Sequence, residues 1–168
     1  ILTDSATPQE MSDRPGDTAH MNTTHPTQAI RIVGLELRTS NDVAMQSIPP
    51  HWQRFVADGV LAQIPGKLSD TVYAVYTHFE HAGLNNEGLY SLIIGAQVSA
   101  DAPVPAGLTH CVVPAGPRAV FEAPTGQPER IGEIWQEVWS RKDLAKTFIA
   151  EVERYQPDGR IDISIGVK

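Results

Sequence analysis

Residues 147–167 read TFIAEVERYQPDGRIDISIGV, two β-rich runs separated by Gln156-Pro157-Asp158-Gly159. Proline and Asp-Gly between such runs are typical of a tight turn, so the pattern predicts a β-hairpin. Side chains alternate between the faces of a strand, which places Phe148, Ala150 and Val152 on one face. The opposite face carries Ile149, Glu151, Glu153 and Tyr155. If that second face is buried, its carboxylates are counter-ions for a cation; if it faces water, it is an ordinary solvated sheet face.

The composition predicts one globular domain. The chain has 168 residues, 41% of them hydrophobic and 20% charged, which is ordinary for such a protein. A net charge of −7 repels phosphate, which argues against direct nucleic-acid binding and weakly favours cationic ligands. No apolar run approaches the ~20 residues that span a membrane, and residues 1–29 lack a secretory pattern. We therefore expect a cytoplasmic protein without membrane contact.

Several residues with metal-binding or redox chemistry receive a structural interpretation. Cys111 is the one cysteine, which excludes an intramolecular disulfide, and its apolar neighbours predict a buried strand. Residues 1–29 are rich in Thr, Ser, Asp, Pro and His and predict a poorly ordered N-terminal tail. His78, Glu80 and His81 crowd at a strand end without a further spaced ligand. We expect neither a metal site nor a cofactor.

From residue 30 onward the chain repeats one order of elements. The first half reads as a strand (30–38), a helix (49–58) and two strands (72–79 and 89–98). The second half reads as a strand (118–122), a helix (128–141) and two strands (147–156 and 160–167), preceded by an extra strand at 108–113. This order predicts an α+β fold of duplicated strand-helix-strand-strand units, about 30–98 and 108–168. Their strands would form a curved antiparallel sheet with helices packed on it and a ligand cleft between the halves.

Both predicted helices carry large aromatic side chains on an apolar face. Trp52 and Phe55 occur at helical spacing behind Pro49-Pro50. In the second helix, Trp139 closes an apolar stripe formed by Ile131, Ile134, Trp135 and Val138. These aromatics either belong to the core or line the cleft together with the glutamate-bearing face of the hairpin.

Residues from about 30 to 168 resemble the GyrI-like domain, the AraC-type effector-binding family of multidrug-sensing domains. The matching features, in order, are Ile32-Val33-Gly34-Leu35, Ile48 with Trp52 and Phe55, Tyr73-Ala74-Val75-Tyr76, Tyr90 with Gly95 and Val98, Pro114-Ala115-Gly116 before Ala119-Val120-Phe121, Trp135, and Glu153-Arg154-Tyr155 before Ile161-Asp162-Ile163. Arg118 departs from the family pattern, since an aromatic residue commonly follows the Pro-Ala-Gly turn. The stand-alone form is similar to small proteins carried on integron cassettes.

The resemblance implies a duplicated (SHS2) fold that binds amphipathic cations between aromatic walls, with one buried glutamate as counter-charge. Glu153 occupies the position of that glutamate. Tyr155 shares its strand face and would wall the site or hold the carboxylate, and Tyr76 and Tyr90 are further wall candidates. Burial without a partner would raise the pKa of Glu153, and a delocalised cation would relieve that cost. Binding should therefore weaken as the pH drops towards that pKa.

Other functions remain open on the sequence. A buried glutamate beside a tyrosine can act as a general acid or base, so hydrolysis of strained electrophilic small molecules is one alternative. Haem binding is another, for which His51 is the sole helical candidate ligand. The acidic surface could also bind and inhibit a larger protein. A transcriptional role would need a partner chain, a transcription regulator or another protein, because nothing upstream of Ile30 has helix-turn-helix periodicity.

Overall fold

The computed structural model describes residues 20–168, which form one curved antiparallel sheet with helices on one side. The strands are β1 (Met21–Thr24), β2 (Ile30–Ser40), β3 (Val72–Thr77), β4 (Leu89–Val98), β5 (Thr109–Val113), β6 (Arg118–Ala123), β7 (Lys146–Tyr155) and β8 (Ile161–Val167). The helices are α1 (Ala44–Ala57), α2 (Val60–Gln63) and α3 (Ile131–Ser140), with a 3₁₀ turn at Pro128–Arg130 before α3. The predicted α+β class is confirmed.

The strand order, β1-β6-β8-β7-β3-β4-β2-β5, repeats the same arrangement in each half. In the first half the strands lie in the order β2-β4-β3, and in the second half in the order β6-β8-β7. The halves join where β3 pairs with β7, with Ala74 opposite Glu153. Each strand is hydrogen-bonded to its neighbours, so the eight strands make one continuous sheet. Every neighbouring pair is antiparallel, as the repeated element order predicted.

Two short connections force this sheet to curl. In a flat sheet β1 and β2 would be separated by six inter-strand steps, or about 29 Å. The chain from Thr24 to Ile30 can reach only about 21 Å, and the chain from Val113 to Arg118, which also bridges six steps, about 18 Å. The two connections meet, since the Gly116 N–H donates to the Pro26 carbonyl at 3.0 Å. The sheet therefore forms a trough whose two edges face each other.

The two faces of the sheet carry different cores. On the convex face, α1 and α2 cover one apolar cluster that includes Phe55 and Leu92, and α3 covers a second that includes Trp135 and Ile163. On the concave face, strand residues alone form a third cluster, which includes Ile32, Val75, Ile93, Cys111 and Val152. Cys111 is buried in β5, as predicted, and burial raises the pKa of its thiol to about 12.

Part of the predicted N-terminal tail is ordered. Met21–Thr24 forms β1 on the edge of β6, with Met21 opposite Phe121. The Glu122 N–H also donates to the carbonyl of His20 at 3.1 Å. The prediction of a tail through residue 29 is therefore wrong for this strand, because unpaired backbone groups on β6 bind a segment whose side chains carry little apolar signal. Residues 25–29 of the predicted tail form the connection from β1 to β2, and residues 1–19 lie outside the described residues.

Both helices begin at positions different from those predicted. α1 starts at Ala44 rather than at Pro49, because Gln46 and Ser47 donate their N–H groups to the Val43 carbonyl and build a turn ahead of the prolines. In the second half, Pro128 opens a 3₁₀ turn, and the α-helix proper starts at Ile131. The predicted end of α1 is confirmed, since Gly59 takes a left-handed conformation with φ 59°.

A bulge interrupts the first strand of the hairpin. Phe148 has a left-handed φ of 50°, and the pairing of β7 with β8 shifts register between Lys146 and Glu151. The predicted alternation therefore starts only at Ala150, and Phe148 does not continue it. From there Ala150 and Val152 face the concave cluster. Glu151 and Glu153 lie on the opposite, convex face and point towards the helices.

His51 is a core residue of the first half. Its side chain is 2% exposed, and Nε2 donates to the Leu35 carbonyl at 3.0 Å. Burial lowers the pKa of His51 below its ordinary value of 6.5, because a charged imidazolium is poorly solvated there.

This burial predicts a loss of stability in acid. Below pH 6.5 the unfolded chain takes up a proton at His51 more readily than the folded chain does. The stability that His51 contributes should therefore fall as the pH drops through this range, whereas His51→Gln lacks this component. Urea unfolding of both proteins at about pH 7.5 and 5.5 isolates it as a difference. If the unfolding free energies of the wild type and His51→Gln differ by the same amount at both pH values, His51 is not the group responsible.

Candidate functional site

A cleft of about 460 Å³ lies on the convex face between α1 and α3. Helix α1 and its N-terminal loop form one wall with Asn41, Ala44, Met45, Ile48 and Pro49. Helix α3 forms the other with Gly132, Trp135, Gln136 and Trp139. Strands β3, β4 and β7 and the loop between β3 and β4 contribute Tyr76, Phe79, Asn86, Tyr90 and Glu151. The cleft thus spans the junction of the two halves.

Aromatic rings make most of the surface around the cleft floor. Tyr76 packs edge-on against Trp135, with ring centroids 5.2 Å apart, and lies 5.8 Å from Tyr90. The rings of Trp135 and Trp139 are tilted by 31° against each other, with their centroids 6.0 Å apart. Trp139 is 45% exposed, although it belongs to the apolar stripe of α3. Its exposed ring gives the cleft a flat, accessible wall.

Glu153 lies beneath this floor and is held by three donors. Oε1 accepts hydrogen bonds from Trp135 Nε1 at 2.7 Å and from the Tyr76 hydroxyl at 3.0 Å. Oε2 accepts one from the Tyr155 hydroxyl at 2.7 Å. Glu153 is 3% exposed, and burial raises its pKa although the three hydrogen bonds oppose that shift. Burial also raises the pKa of Tyr76, Tyr155 and Tyr90, so the phenols remain protonated donors.

Glu151 is the carboxylate that lines the cleft itself. It is 6% exposed and accepts no hydrogen bond from the residues that the structure describes. Burial raises its pKa to about 7, against the opposing effects of the positive charges of Lys146 and Arg118. Near neutral pH, therefore, Glu151 is a poorly solvated carboxylate whose charge is only partly compensated.

The structure divides the predicted site residues into three groups. Tyr76, Tyr90 and Trp139 line the cleft. Glu153 and Tyr155 lie directly behind the floor and reach the cleft through Tyr76 and Trp135. Trp52 and Phe55 are not among the lining residues. Phe55 is a buried core residue, and Trp52 packs edge-on against Tyr155 at 5.2 Å, so both support the floor from the first half.

The polar roles of two lining residues are not predicted by the sequence. Trp135 reads as part of the apolar stripe of α3, yet its indole N–H donates to Glu153. Glu151 shares the strand face of Glu153, but the family resemblance points to Glu153 alone. The sequence feature that indicates Glu151 is its two-residue spacing from Glu153, because residues i and i+2 of a strand share a face. The corresponding feature for Trp135 is its position in α3, the helix that faces β7.

Other kinds of site are restricted by the geometry. Within residues 20–168, no three His, Cys, Asp or Glu side chains lie close enough together to hold a metal ion. His51, the residue considered for haem, is bonded to β2 and is not a lining residue of the cleft. None of the described helices has the length and hydropathy of a membrane-spanning segment.

Comparison with known sequences identifies one family. The family model Cass2, described as integron-associated effector binding protein, matches residues 26–167. That range begins in the connection between β1 and β2 and includes both halves of the fold and every residue of the cleft. No curated protein matches the chain.

Comparison with solved structures gives the same fold. An integron cassette protein from the mobile metagenome of Vibrio cholerae is 23% identical, with a TM-score of 0.68 over 88% of this chain and 95% of that one. A protein of Staphylococcus aureus MU50 is 19% identical, with a TM-score of 0.66 over 91% and 99% of the two chains. The protein SAV2435, solved with bound tetraphenylphosphonium, is 18% identical, with a TM-score of 0.70 over 89% and 94%.

Proposed function

Because this chain belongs to the integron-associated effector-binding proteins, we propose that its effector is an amphipathic organic cation bound in the cleft between α1 and α3. The observation that supports this most directly is Glu151. A carboxylate that lines an aromatic cleft and accepts no hydrogen bond from the described residues is a site for a positive charge.

The walls favour a flat or bulky apolar cation over a small hydrated one. Trp139, Trp135 and Tyr76 offer ring faces and edges, and each cation–π contact contributes about 0.5–2 kcal/mol. Burial of the apolar body of the ligand adds roughly 25 cal/mol per Å² before association costs. SAV2435, which shares the fold, was solved with such a cation. One diffuse charge and aromatic walls select a class of molecules rather than a single compound.

The two glutamates have different roles in this proposal. Glu151 meets the ligand charge at the wall of the cleft. Glu153 orients Tyr76 and Trp135 through its hydrogen bonds and adds negative charge beneath the floor. Since the Tyr155 hydroxyl also donates to Glu153, the floor is fixed before a ligand arrives. Such a preformed site loses little conformational entropy on binding.

Isothermal titration with tetraphenylphosphonium tests the proposal, with neutral triphenylphosphine oxide as the matched analogue. We expect saturable binding of the cation at about pH 8, at least about tenfold tighter than that of the neutral compound, a difference of ~1.4 kcal/mol. Trp139→Ala should weaken the cation several-fold, since it removes one cation–π contact. Equal affinity for both compounds would overturn the cationic specificity.

The matched control for Trp139→Ala is Ile149→Ala. Ile149 is an exposed apolar residue, 40% accessible, that does not line the cleft. Its truncation should leave cation binding unchanged. Mass spectrometry of the recovered ligand separates binding from hydrolysis, because a binding protein returns the compound intact. A new product would favour the hydrolase function instead.

A further inference from the structure

We propose that the concave face of the sheet holds a second ligand site, in which Arg118 binds a small organic carboxylate. The site is a cavity of about 300 Å³ inside the trough, lined by the β1–β2 connection, β6, the centre of the sheet and the end of β5. The sheet itself separates this cavity from the cleft, and no residue lines both. The inference does not depend on the proposed cation site.

Arg118 is a buried cation with neutral hydrogen-bond partners. It is 6% exposed. Nε donates to Ser164 Oγ at 2.7 Å, and Nη2 donates to the carbonyls of Ala150 and Ser164 at 2.7 and 2.8 Å. These bonds tie β6 to β8 and to the bulged part of β7. Because the acceptors are a hydroxyl and two carbonyl oxygens, these bonds leave the positive charge of the guanidinium without a negative partner on the concave face.

One nitrogen of the Arg118 guanidinium, Nη1, remains available. Nη1 donates no hydrogen bond to any of the described residues. It is also not one of their completely buried polar atoms, so it is accessible to a small molecule. Burial lowers the pKa of Arg118 to about 10, so it is still protonated at neutral pH. Glu151, whose charge opposes that shift, lies on the other face, in the cleft. Arg118 is therefore a cation with one free donor nitrogen, and none of the residues that line this cavity is a carboxylate.

The charges around the cavity leave a net positive site. A second guanidinium, that of Arg154, also lines it, but Asp162 neutralises this group through two bonds of 2.7 and 2.8 Å. No aspartate or glutamate is a lining residue. In a chain with a net charge of −7 this is an unusual local balance, and a monoanion restores neutrality.

The rest of the lining defines the body of the ligand. Val113, Val120 and Val152 present apolar surface, and the Tyr73 hydroxyl, bonded to Gln97 at 3.2 Å, adds one polar group. A volume of about 300 Å³ is at the small end of ligand sites. These features fit a single ring or a short chain that carries one carboxylate. Phosphate would leave the valines without contacts.

Fluorine NMR titration with 4-fluorobenzoate tests this site, with 4-fluorobenzyl alcohol and 4-fluorobenzylamine as neutral and cationic analogues. We expect saturable millimolar or tighter binding of the carboxylate, and binding of both analogues at least about tenfold weaker. Saturating tetraphenylphosphonium and Trp139→Ala should leave carboxylate binding in place. Absence of binding in the millimolar range, equal binding of the analogues, or displacement by tetraphenylphosphonium would overturn the proposal.

Two variants assign the binding to Arg118 and the cavity. Arg118→Lys keeps the positive charge but removes the Nη1 donor, and we expect at least about tenfold weaker carboxylate binding. Because this change also breaks strand-linking bonds, its fold must be verified by circular dichroism. Val120→Phe leaves both arginines intact and fills the cavity, so it should abolish binding even if Arg118→Lys fails to fold. Unchanged binding in Val120→Phe would overturn the proposal.

Discussion

Replacing Glu151 by glutamine is expected to weaken tetraphenylphosphonium binding about 30-fold at pH 8, or ~2 kcal/mol. Glutamine keeps the shape of the side chain and removes the charge that meets the ligand. Because Glu151 accepts no hydrogen bond from the described residues, the substitution leaves no donor of that part of the chain unpaired. Isothermal titration of both proteins measures the effect.

The pH dependence provides the internal test of this assignment. The pKa of Glu151 is about 7, so the carboxylate is mostly neutral at pH 5.5 and mostly charged at pH 8. Wild-type affinity should therefore rise as the pH increases through 7, while the Glu151→Gln protein should show a smaller rise. Similar affinities of the two proteins are expected at about pH 5.5. A constant ratio of affinities from pH 5.5 to 8 would contradict the role of Glu151.

Stability should change in the opposite direction. Because the folded pKa of Glu151 is raised from 4.5 to about 7, the folded state holds its proton more tightly than the unfolded state does. The contribution of Glu151 to the stability of the unliganded wild type should decrease as the pH rises through this range, by roughly 3 kcal/mol at most. Glu151→Gln avoids that loss. A variant that is more stable at pH 8 yet binds the cation more weakly cannot be explained by misfolding.

Glu133→Gln is the matched control for charge. It removes the same charge from α3, where Glu133 pairs with Arg130 at 3.1 Å and is largely exposed. Cation affinity should change little, because exposed charges are screened. Glu153→Gln is a different test, because it replaces an acceptor of three hydrogen bonds with a group that also donates. It should lower both stability and affinity.

Gly95→Ala is expected to destabilise the protein by about 3 kcal/mol or more. Gly95 of β4 is opposite Gly34 of β2, and the two backbones approach closely at this pair. A Cβ at Gly95 would lie 1.8 Å from the Val33 carbonyl oxygen, and one at Gly34 would lie 2.3 Å from that of Ile94. Since both obstacles are backbone atoms, the strands would have to separate. Urea unfolding monitored by circular dichroism measures the loss.

Gly132→Ala is the matched control for this change. Gly132 lies in α3, and a Cβ there would meet nothing within 4 Å. Alanine is a better helix former than glycine, so this variant should be more stable by about 0.5–1 kcal/mol. The same substitution is thus expected to have opposite signs at the two sites. If Gly95→Ala unfolds at wild-type urea concentrations, the close approach of the two strands is not required for the fold.

The amino-acid sequence by itself predicted the fold class, the repeated order of elements and a cleft between the two halves. The β-rich apolar run Leu89–Val98 and the turn residues of Gln156–Gly159 are local signals, and they predicted the central strands closely. Alternation from Ala150 onward placed Glu151 and Glu153 on one face. Helical spacing placed Trp135 and Trp139 on one stripe. These patterns depend only on backbone geometry, which is the same in every chain.

Tertiary structure decided which of these side chains meet. Trp52 and Trp139 both read as aromatic residues on an apolar helix face, but only the packing of each helix on the sheet makes one a floor support and the other a cleft wall. The same holds for the glutamates, since Tyr76 of β3 and Trp135 of α3 converge with the neighbouring Tyr155 on Glu153, while no donor of the described residues reaches the Glu151 carboxylate. Burial and hydrogen bonding depend on contacts between residues far apart in the chain, so no local pattern encodes them.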